Sequence, residues 1–251
     1  MSELHGSRAN APVVAPARPP VAGNPLLDAF RNAMTVRTDI DDARTEAIAR
    51  YGFAIPSDEA IGAIQRCSPE GVIEVGAGTG YWASLLHRRG VDVVAFDIEP
   101  APSPRNTWFA GTRPWHPVYH GDHDIVRAHS ERTLLIVWPT KNETWAATAL
   151  ERYHDAGGQR VVFVGEGPGG RSGDATFHAM LGELSSCVQC VYGATTEPCI
   201  CGVRARWHRT ETIELPHWPG FFDDLQIYAR ESPVEDGRRR RRSRSRRTAL
   251  G

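Results

Sequence analysis

The sequence has no run of apolar residues that approaches the ~20 needed to span a bilayer. Its first 23 residues also lack a basic segment followed by an unbroken apolar core, which argues against a signal peptide. Lysine is nearly absent, since Lys141 is the only one, so arginine carries almost all the positive charge. We therefore expect a cytoplasmic protein that makes no contact with membranes.

The net charge of −1 conceals an uneven distribution. Eight arginines lie between residues 238 and 247, and removing them leaves −1 − 8 = −9 for the rest of the chain. A broad basic face for nucleic acid is therefore not expected on the folded part. Residues 236–251 contain almost nothing that could pack, so we predict a disordered Arg-rich tail. Such a tail attracts phosphate and could contact RNA weakly, or it could be a dispensable, solvated terminus.

Residues 1–24 are rich in Ala, Pro and Gly without periodicity, and we predict that they are disordered. A helical pattern begins at Pro25, where Asn24 is a suitable N-cap, and a further helix follows the N-cap candidate Ser57. The predicted folded domain covers residues 25–235. From residue 71 onward, short apolar strands alternate with amphipathic helices, which indicates a parallel sheet covered on both faces.

Two later segments, WHRTETIEL and LQIYARE, alternate polar and apolar residues instead. This pattern is typical of an antiparallel pair with one solvated face. The predicted fold class is therefore a doubly wound α/β domain, mostly parallel, with an antiparallel edge.

Three glycines, Gly76, Gly78 and Gly80, follow the first predicted strand in VIEVGAGTGYWASLL. In parallel sheets, such a turn and the helix N-terminus after it face the ligand. The dinucleotide fingerprint requires G-x-G-x-x-G, but Tyr81 occupies the position of its third glycine. Glu74 lies two residues before the turn, where an acid disfavours pyrophosphate and suits a cationic amino-acid group.

The stretch E-V-G-A-G-T-G resembles motif I of the class I S-adenosylmethionine-dependent methyltransferases, and the resemblance spans roughly residues 50–230. It implies a Rossmann-like sheet of seven strands with S-adenosylmethionine bound at the turn. Glu74 would lie near the methionine portion, and Asp97, which ends the second strand, would take the ribose hydroxyls. Asp122, after the third strand, would lie near the adenine. The glycines and Tyr81 would complete the cofactor site.

The acceptor side departs from a pattern that many amino-group methyltransferases share. They carry Asp/Asn-Pro-Pro-Tyr/Phe after the fourth strand, whereas this chain has Trp138-Pro139-Thr140. An exocyclic amine is therefore a doubtful acceptor, and Trp138 is either a pocket wall or a core residue. Glu166, at the end of the fifth strand, and His178, in the next helix, are our candidate catalytic residues, because a proton acceptor there would face the methyl donor. Alternatively, His178 is a packing residue.

Four of the five cysteines fall between residues 187 and 201. Cys187-x-x-Cys190 and Cys199-x-Cys201 bring four thiolates within reach of one ion, and in a cytosolic protein a structural Zn²⁺ site is the physical alternative to disulfides. Free thiols or a redox pair are the other interpretations.

The function predicted from these residues is methyl transfer from S-adenosylmethionine to an oxygen or nitrogen of a small-molecule or peptide acceptor. The first alternative is a non-catalytic protein on the same fold that binds the cofactor or associates with RNA. The second is an NAD(P)-dependent oxidoreductase, which the glycine spacing and Glu74 disfavour.

Overall fold

The structure is a computed structural model that describes residues 15–36, 39–184, 203 and 205–231. The four cysteines of the predicted zinc loop and the Arg-rich tail lie outside the described residues, so both stay predictions. Within the described residues, no helix is long and apolar enough to cross a membrane.

Six helices and seven strands, together with one 3₁₀ helix at Ile125–His129, make up the described part of the domain. The helices are α1 (Pro25–Val36), α2 (Ile40–Tyr51), α3 (Asp58–Cys67), α4 (Tyr81–Arg88), α5 (Trp145–Asp155) and α6 (Ala175–Met180). The strands are β1 (Val72–Val75), β2 (Val93–Asp97), β3 (Val118–His120), β4 (Thr133–Val137), β5 (Arg160–Gly165), β6 (Trp207–Glu214) and β7 (Asp224–Arg230).

All seven strands form one sheet in the order β3-β2-β1-β4-β5-β7-β6. The first five strands are parallel, and β7 pairs antiparallel with both β5 and β6. The predicted fold class is therefore confirmed, including the antiparallel edge. Chain order reverses between β1 and β4, and in open α/β sheets the ligand crevice lies at such a reversal.

Both faces of the central strands β1, β4 and β5 are covered, which explains why these strands are mostly apolar. Along β1, Val72 packs into one core together with residues of α1, α3 and α4. Ile73 and Val75 point to the other face, into a second core that holds residues of α5 and α6. Because neighbouring residues of a strand face opposite sides, most positions of the central strands carry apolar side chains.

The predicted helix starts agree with the observed capping hydrogen bonds. The side chain of Asn24 accepts from the backbone N–H of Leu27 at 3.2 Å, and Ser57 Oγ accepts from Ala60 N at 3.1 Å. Each bond satisfies one of the N–H groups that a helix start leaves without a partner. Both N-cap predictions are confirmed.

Residues 15–23, which the sequence assigned to an unstructured segment, follow an irregular path along the domain. Arg18 N donates to Pro114 O at 2.7 Å, and its guanidinium lies 4.9 Å from the ring centre of Trp115. Arg88 donates to the carbonyl oxygens of Val21 and Gly23. Residues 1–14 lie outside the described part of the chain.

Candidate ligand site

The glycine turn lies between β1 and α4, at the carboxyl edge of the sheet. Gly76, Gly78 and Gly80 have φ values of +71°, +54° and +68°, all in the left-handed region that favours glycine. Backbone conformation alone therefore accounts for all three glycines, which is a requirement that the sequence did not reveal.

Aromatic side chains add a second requirement at two of these positions. A Cβ atom at Gly76 would lie 2.7 Å from the indole of Trp145, and one at Gly78 would lie 2.6 Å from the ring of Phe109. The turn is thus packed against two rings of the protein itself. Gly76 and Gly78 still line the cavity, so a ligand can reach the backbone of the turn, but only on the sides that Trp145 and Phe109 leave open.

Glu74 lies behind the turn with 1% of its surface exposed. Its carboxylate accepts a hydrogen bond from the backbone N–H of Ala83 in α4 at 3.2 Å. Burial disfavours the charged form and raises the pKa of Glu74 to about 8. A cation placed beside this carboxyl group would favour its ionised form. The site is therefore suited to a positively charged ligand group.

Asp97 joins the turn to the end of β2. Its Oδ2 accepts from the backbone N–H of Gly78 at 2.9 Å, and its Oδ1 accepts from Glu99 N at 2.9 Å. Burial raises the pKa of Asp97, and these two hydrogen bonds to the charged form oppose that shift. Each oxygen retains a second lone pair, so the side chain can still accept hydrogen bonds from ligand hydroxyl groups.

A cavity of about 630 Å³ runs along the carboxyl ends of β3, β2, β1 and β4. Its size lies within the range of small-molecule and cofactor sites. The lining includes most of the residues predicted to hold the cofactor, namely Glu74, Gly76, Gly78, Tyr81, Asp97 and Asp122. Gly80 is outside the lining and packs against Val118 and His116 instead.

Two of these lining residues have further partners. The hydroxyl of Tyr81 donates to Asn24 Oδ1 at 2.8 Å and accepts from Leu26 N at 3.0 Å, so the side chain links α4 to the start of α1.

Asp122 is exposed, and its Oδ1 accepts from Asp124 N at 2.8 Å. Asp122, His123 and Asp124 have ligand atoms within 4.8 Å of one another, but exposed acidic groups often lie this close without an ion.

For clarity, we divide the cavity at the reversal of strand order. The β1–β3 half is lined by Gly76 and Gly78 of the turn, by Glu74, Asp97 and Asp122, and by residues 98, 99 and 105–109 of the loop after β2. The β4–β5 half is lined by Trp138, Thr140, Lys141 and Glu143, which follow β4, and by Arg171 from the loop after β5. One continuous cavity therefore offers two chemically different ends.

Trp138 is the first residue after β4, and hydrogen bonds hold both its backbone and its indole ring. It has a φ of +50°, an uncommon conformation for a bulky residue, and its N–H donates to Val164 O at 2.7 Å. Its indole Nε1 donates to Asp223 Oδ1 at 2.6 Å. Burial raises the pKa of Asp223 to about 6. The structure therefore places Trp138 on the cavity wall while also packing it against the core.

The carbonyl oxygen of Pro139 has a partner within the protein. It accepts from Gly173 N at 2.8 Å, and Asn142 N in turn donates to Gly173 O at 3.1 Å. In the Asp/Asn-Pro-Pro pattern, the prolyl carbonyl holds the reacting amine. Here this oxygen ties two loops together, which agrees with the departure seen in the sequence.

Glu166 and His178, the predicted catalytic pair, are both buried, and neither lines the cavity. Glu166 accepts from Arg171 N at 2.7 Å, from Arg171 Nη1 at 2.8 Å and from Phe222 N at 3.2 Å. His178 Nε2 lies 2.9 Å from Ser172 O, and its Nδ1 lies 3.1 Å from Glu183 Oε2. Every one of these polar atoms is engaged within the protein.

The structure therefore gives Glu166 and His178 the geometry of positioning residues. A general base must reach the proton that it removes, directly or through one water. Glu166 instead links the loop after β5 to the turn before β7, and it orients Arg171. His178 packs beneath the same loop.

The strand order, with an antiparallel β7 between β5 and β6, decides the fold assignment. The fold is that of the class I methyltransferases. No family model matches the sequence, and no curated protein matches it either.

Solved structures with a similar fold include the magnesium protoporphyrin IX methyltransferase of Synechocystis PCC 6803 with bound S-adenosylhomocysteine, at 10% identity and a TM-score of 0.39. That match covers 82% of this chain and 94% of the other. A second is the 1,6-didemethyltoxoflavin-N1-methyltransferase of Burkholderia thailandensis, at 16% identity and a TM-score of 0.35, which covers 92% and 100%. A third is a protein of the NADB-Rossmann superfamily from Streptococcus agalactiae, at 8% identity and a TM-score of 0.41, which covers 72% and 71%. At such values, these matches carry no argument about function.

Within this class I methyltransferase-like fold, sequence reasoning missed several cavity residues. Phe53 and Trp108 lie on loops before β1 and after β2, and Lys141 and Arg171 follow β4 and β5. Loop residues of this kind have no periodicity that would mark them. The one available signal was Lys141, a lysine unique in the chain and placed directly after a strand of the parallel sheet.

Proposed function

We propose that the protein binds S-adenosylmethionine in the β1–β3 half of the cavity and transfers its methyl group to an oxygen or nitrogen of a small-molecule acceptor in the β4–β5 half. The observation that carries the proposal is the pairing of Glu74 with Asp97 at the ends of β1 and β2. A buried carboxyl group suited to a cation and a carboxylate suited to hydroxyl groups flank the same glycine turn.

The electrostatics favour this cofactor over a dinucleotide. The amino-acid end of S-adenosylmethionine carries an ammonium group, which would stabilise the ionised form of Glu74. A pyrophosphate would bring negative charge toward Glu74, Asp97 and Glu99, which all line the cavity. The backbone N–H of Gly78, which a pyrophosphate could otherwise use, already donates to Asp97.

Glu74 and Asp97 would hold S-adenosylmethionine, which would supply an electrophilic methyl group for the acceptor and leave as S-adenosylhomocysteine. The chain's own part is to hold both reactants in line and to exclude water. Tyr51 and Phe53 reach the cavity from the segment before β1, and Phe109 covers the turn. These side chains enclose the β1–β3 half.

Isothermal titration calorimetry with S-adenosylmethionine, S-adenosylhomocysteine and NAD tests the proposal. We expect both adenosyl ligands to bind and NAD to show no heat of binding. Asp97→Ala should weaken S-adenosylhomocysteine by ~1–3 kcal/mol, the cost of losing hydrogen bonds to a charged group. The matched control is Asp28→Ala, on the exposed surface of α1 outside the cavity lining.

NAD binding in place of the adenosyl ligands would disprove the proposal. Equal weakening by Asp97→Ala and Asp28→Ala would show that the ribose position is wrong. Thermal unfolding of both variants separates lost contacts from a damaged fold, because Asp97 also holds Gly78 and Glu99.

A further inference from the structure

An aromatic wall lines the cavity where its two halves meet, and we define it as Phe53, Trp108 and Trp138. Phe53 stacks on Trp138 with ring centres 4.7 Å apart and an interplanar angle of 8°. Trp108 meets Phe53 edge-on, with ring centres 5.3 Å apart. All three residues come from different loops, and all three line the cavity.

The aromatic wall is not fully buried in the core. Trp108 is 55% exposed although it is a large apolar side chain. Trp138 keeps a left-handed backbone conformation, with a φ of +50°, and such conformations in bulky residues cluster at ligand sites. Hydrogen bonds to Val164 and Asp223 hold Trp138 on the cavity wall in this conformation.

Two cationic side chains, Lys141 and Arg171, line the β4–β5 half beside the wall. Arg171 is oriented by Glu166, by the carbonyl oxygen of Gly220 at 2.7 Å and by the ring of Phe221, 4.5 Å from its guanidinium carbon. Its side chain remains 49% exposed. Among the described residues, no carboxylate oxygen lies within 4.0 Å of the ammonium group of Lys141.

Among the described residues, Glu143 is the one acidic residue that lines the β4–β5 half, and the buried Glu166 next to this half is already paired with Arg171. This end of the cavity is therefore poor in proton acceptors. An acceptor that arrives already ionised would need no protein base, and it would be attracted by Lys141 and Arg171.

From these observations we infer that the acceptor is a planar aromatic compound with an anionic group, its ring packed on the aromatic wall and its charge directed to Lys141 and Arg171. Flat rings stack on aromatic side chains, and the cations supply charge-assisted contacts. This inference rests on the proposed function, because it assigns the second reactant of the same cavity.

Calorimetry on the full chain saturated with S-adenosylhomocysteine tests the acceptor class with three probes. 2-Naphthoate has both features, 2-naphthamide lacks the charge, and decalin-2-carboxylate lacks the aromatic rings. We expect 2-naphthoate to bind tightest, with each of the other two weaker by about 3- to 10-fold.

Two variants assign that preference to residues. Trp108→Leu, at an exposed position that tolerates substitution, should remove most of the advantage of the naphthoate over the decalin acid. Lys141→Gln should remove most of its advantage over the amide. The matched controls are Tyr119→Leu on β3 and Arg31→Gln on α1, both outside the cavity lining, which should leave all three affinities unchanged.

Because the chain has a single lysine, acetylation gives an independent readout. Bound 2-naphthoate should slow acetylation of Lys141, measured by mass spectrometry, without slowing that of the terminal amine. Absence of binding at millimolar concentration, equal affinities for the three probes, or naphthoate binding that Trp108→Leu leaves unchanged would overturn the inference. Each of these results is compatible with tight S-adenosylhomocysteine binding, so the proposed function fails separately, by loss of that binding.

Discussion

The two halves of the cavity are built on different principles. In the β1–β3 half, residues of two consecutive strands and the turn between them define the site. They are the left-handed glycines, the buried carboxyl group of Glu74 and Asp97, which accepts from the turn. In the β4–β5 half, side chains from distant loops meet, and Trp138 depends on Asp223, 85 residues away. A sequence motif can therefore predict the β1–β3 half, whereas the β4–β5 half forms only when distant loops meet in the folded protein.

The largest effect should come from crowding the glycine turn. Gly78→Ala forces a Cβ into a left-handed position and against the ring of Phe109, so we expect a loss of about 2–4 kcal/mol in the free energy of unfolding. Gly90→Ala is the matched control, because Gly90 has a φ of +82° with nothing within 4 Å of the added atom. It should cost about 1 kcal/mol. Urea denaturation measures both, and equal losses would mean that the Phe109 contact is unimportant.

The next effect concerns pH. The pKa of Glu74 is raised from 4.5 to about 8, so the native state holds a proton that the unfolded chain releases. This term therefore lowers the free energy of unfolding as pH rises from about 4.5 to 8 and is constant above that. Glu74→Gln should abolish the decline and stabilise the ligand-free protein at pH 8 by up to about 4 kcal/mol, because each unit of pKa difference corresponds to about 1.4 kcal/mol.

Urea denaturation from pH 4 to pH 9 tests this dependence. The control Glu59→Gln, at an exposed position in the first turn of α3, should follow the wild-type curve. If Glu74→Gln also followed it, the carboxyl group would be ionised in the native state and the description of the β1–β3 half would need revision.

A smaller effect is expected in the β4–β5 half. Asp223→Ala leaves the indole N–H of Trp138 without its partner, and we expect a loss of about 1–2 kcal/mol. Asp223→Asn keeps an acceptor oxygen and should recover most of it. Affinity for S-adenosylhomocysteine, measured by calorimetry, should change little in either variant, because Asp223 does not line the β1–β3 half. A large change in that affinity would show that the halves are coupled.

The smallest effect should follow Asp122→Asn. Asp122 is exposed, and its amide replacement can still accept from the backbone N–H of Asp124. We expect the affinity for S-adenosylhomocysteine to change about twofold or less, a typical result for an exposed charge. A tenfold loss would assign Asp122 a direct role in binding the adenine.

A physical reason explains why the sequence predicted the fold, and why most of the residues that it named for the cofactor line the β1–β3 half. The apolar strands of a parallel sheet and the glycine turn are encoded within a few consecutive residues, as in residues 72–81.

Glu166 and His178 were predicted to face the methyl donor from the end of β5 and the next helix, a prediction that depends on the path of the loop between them. In the structure, Glu166 is engaged by Arg171 in the loop after β5 and by Phe222, 56 residues away, and His178 is engaged by Ser172 and Glu183. The path of that loop and the approach of Phe222 are not encoded in the residues next to Glu166. The aromatic wall could not be predicted from the sequence, because its three residues come from separate loops that meet only in the folded protein.

The hydroxyl of Tyr81 connects the first residue of α4 to the amide of Leu26 in α1. Any ligand that shifts the turn will therefore change the electronic environment of an amide 55 residues earlier in the chain. In a nuclear magnetic resonance spectrum, the backbone amide signal of Leu26 should therefore shift when a ligand occupies the site. It would report binding even of ligands that release no measurable heat.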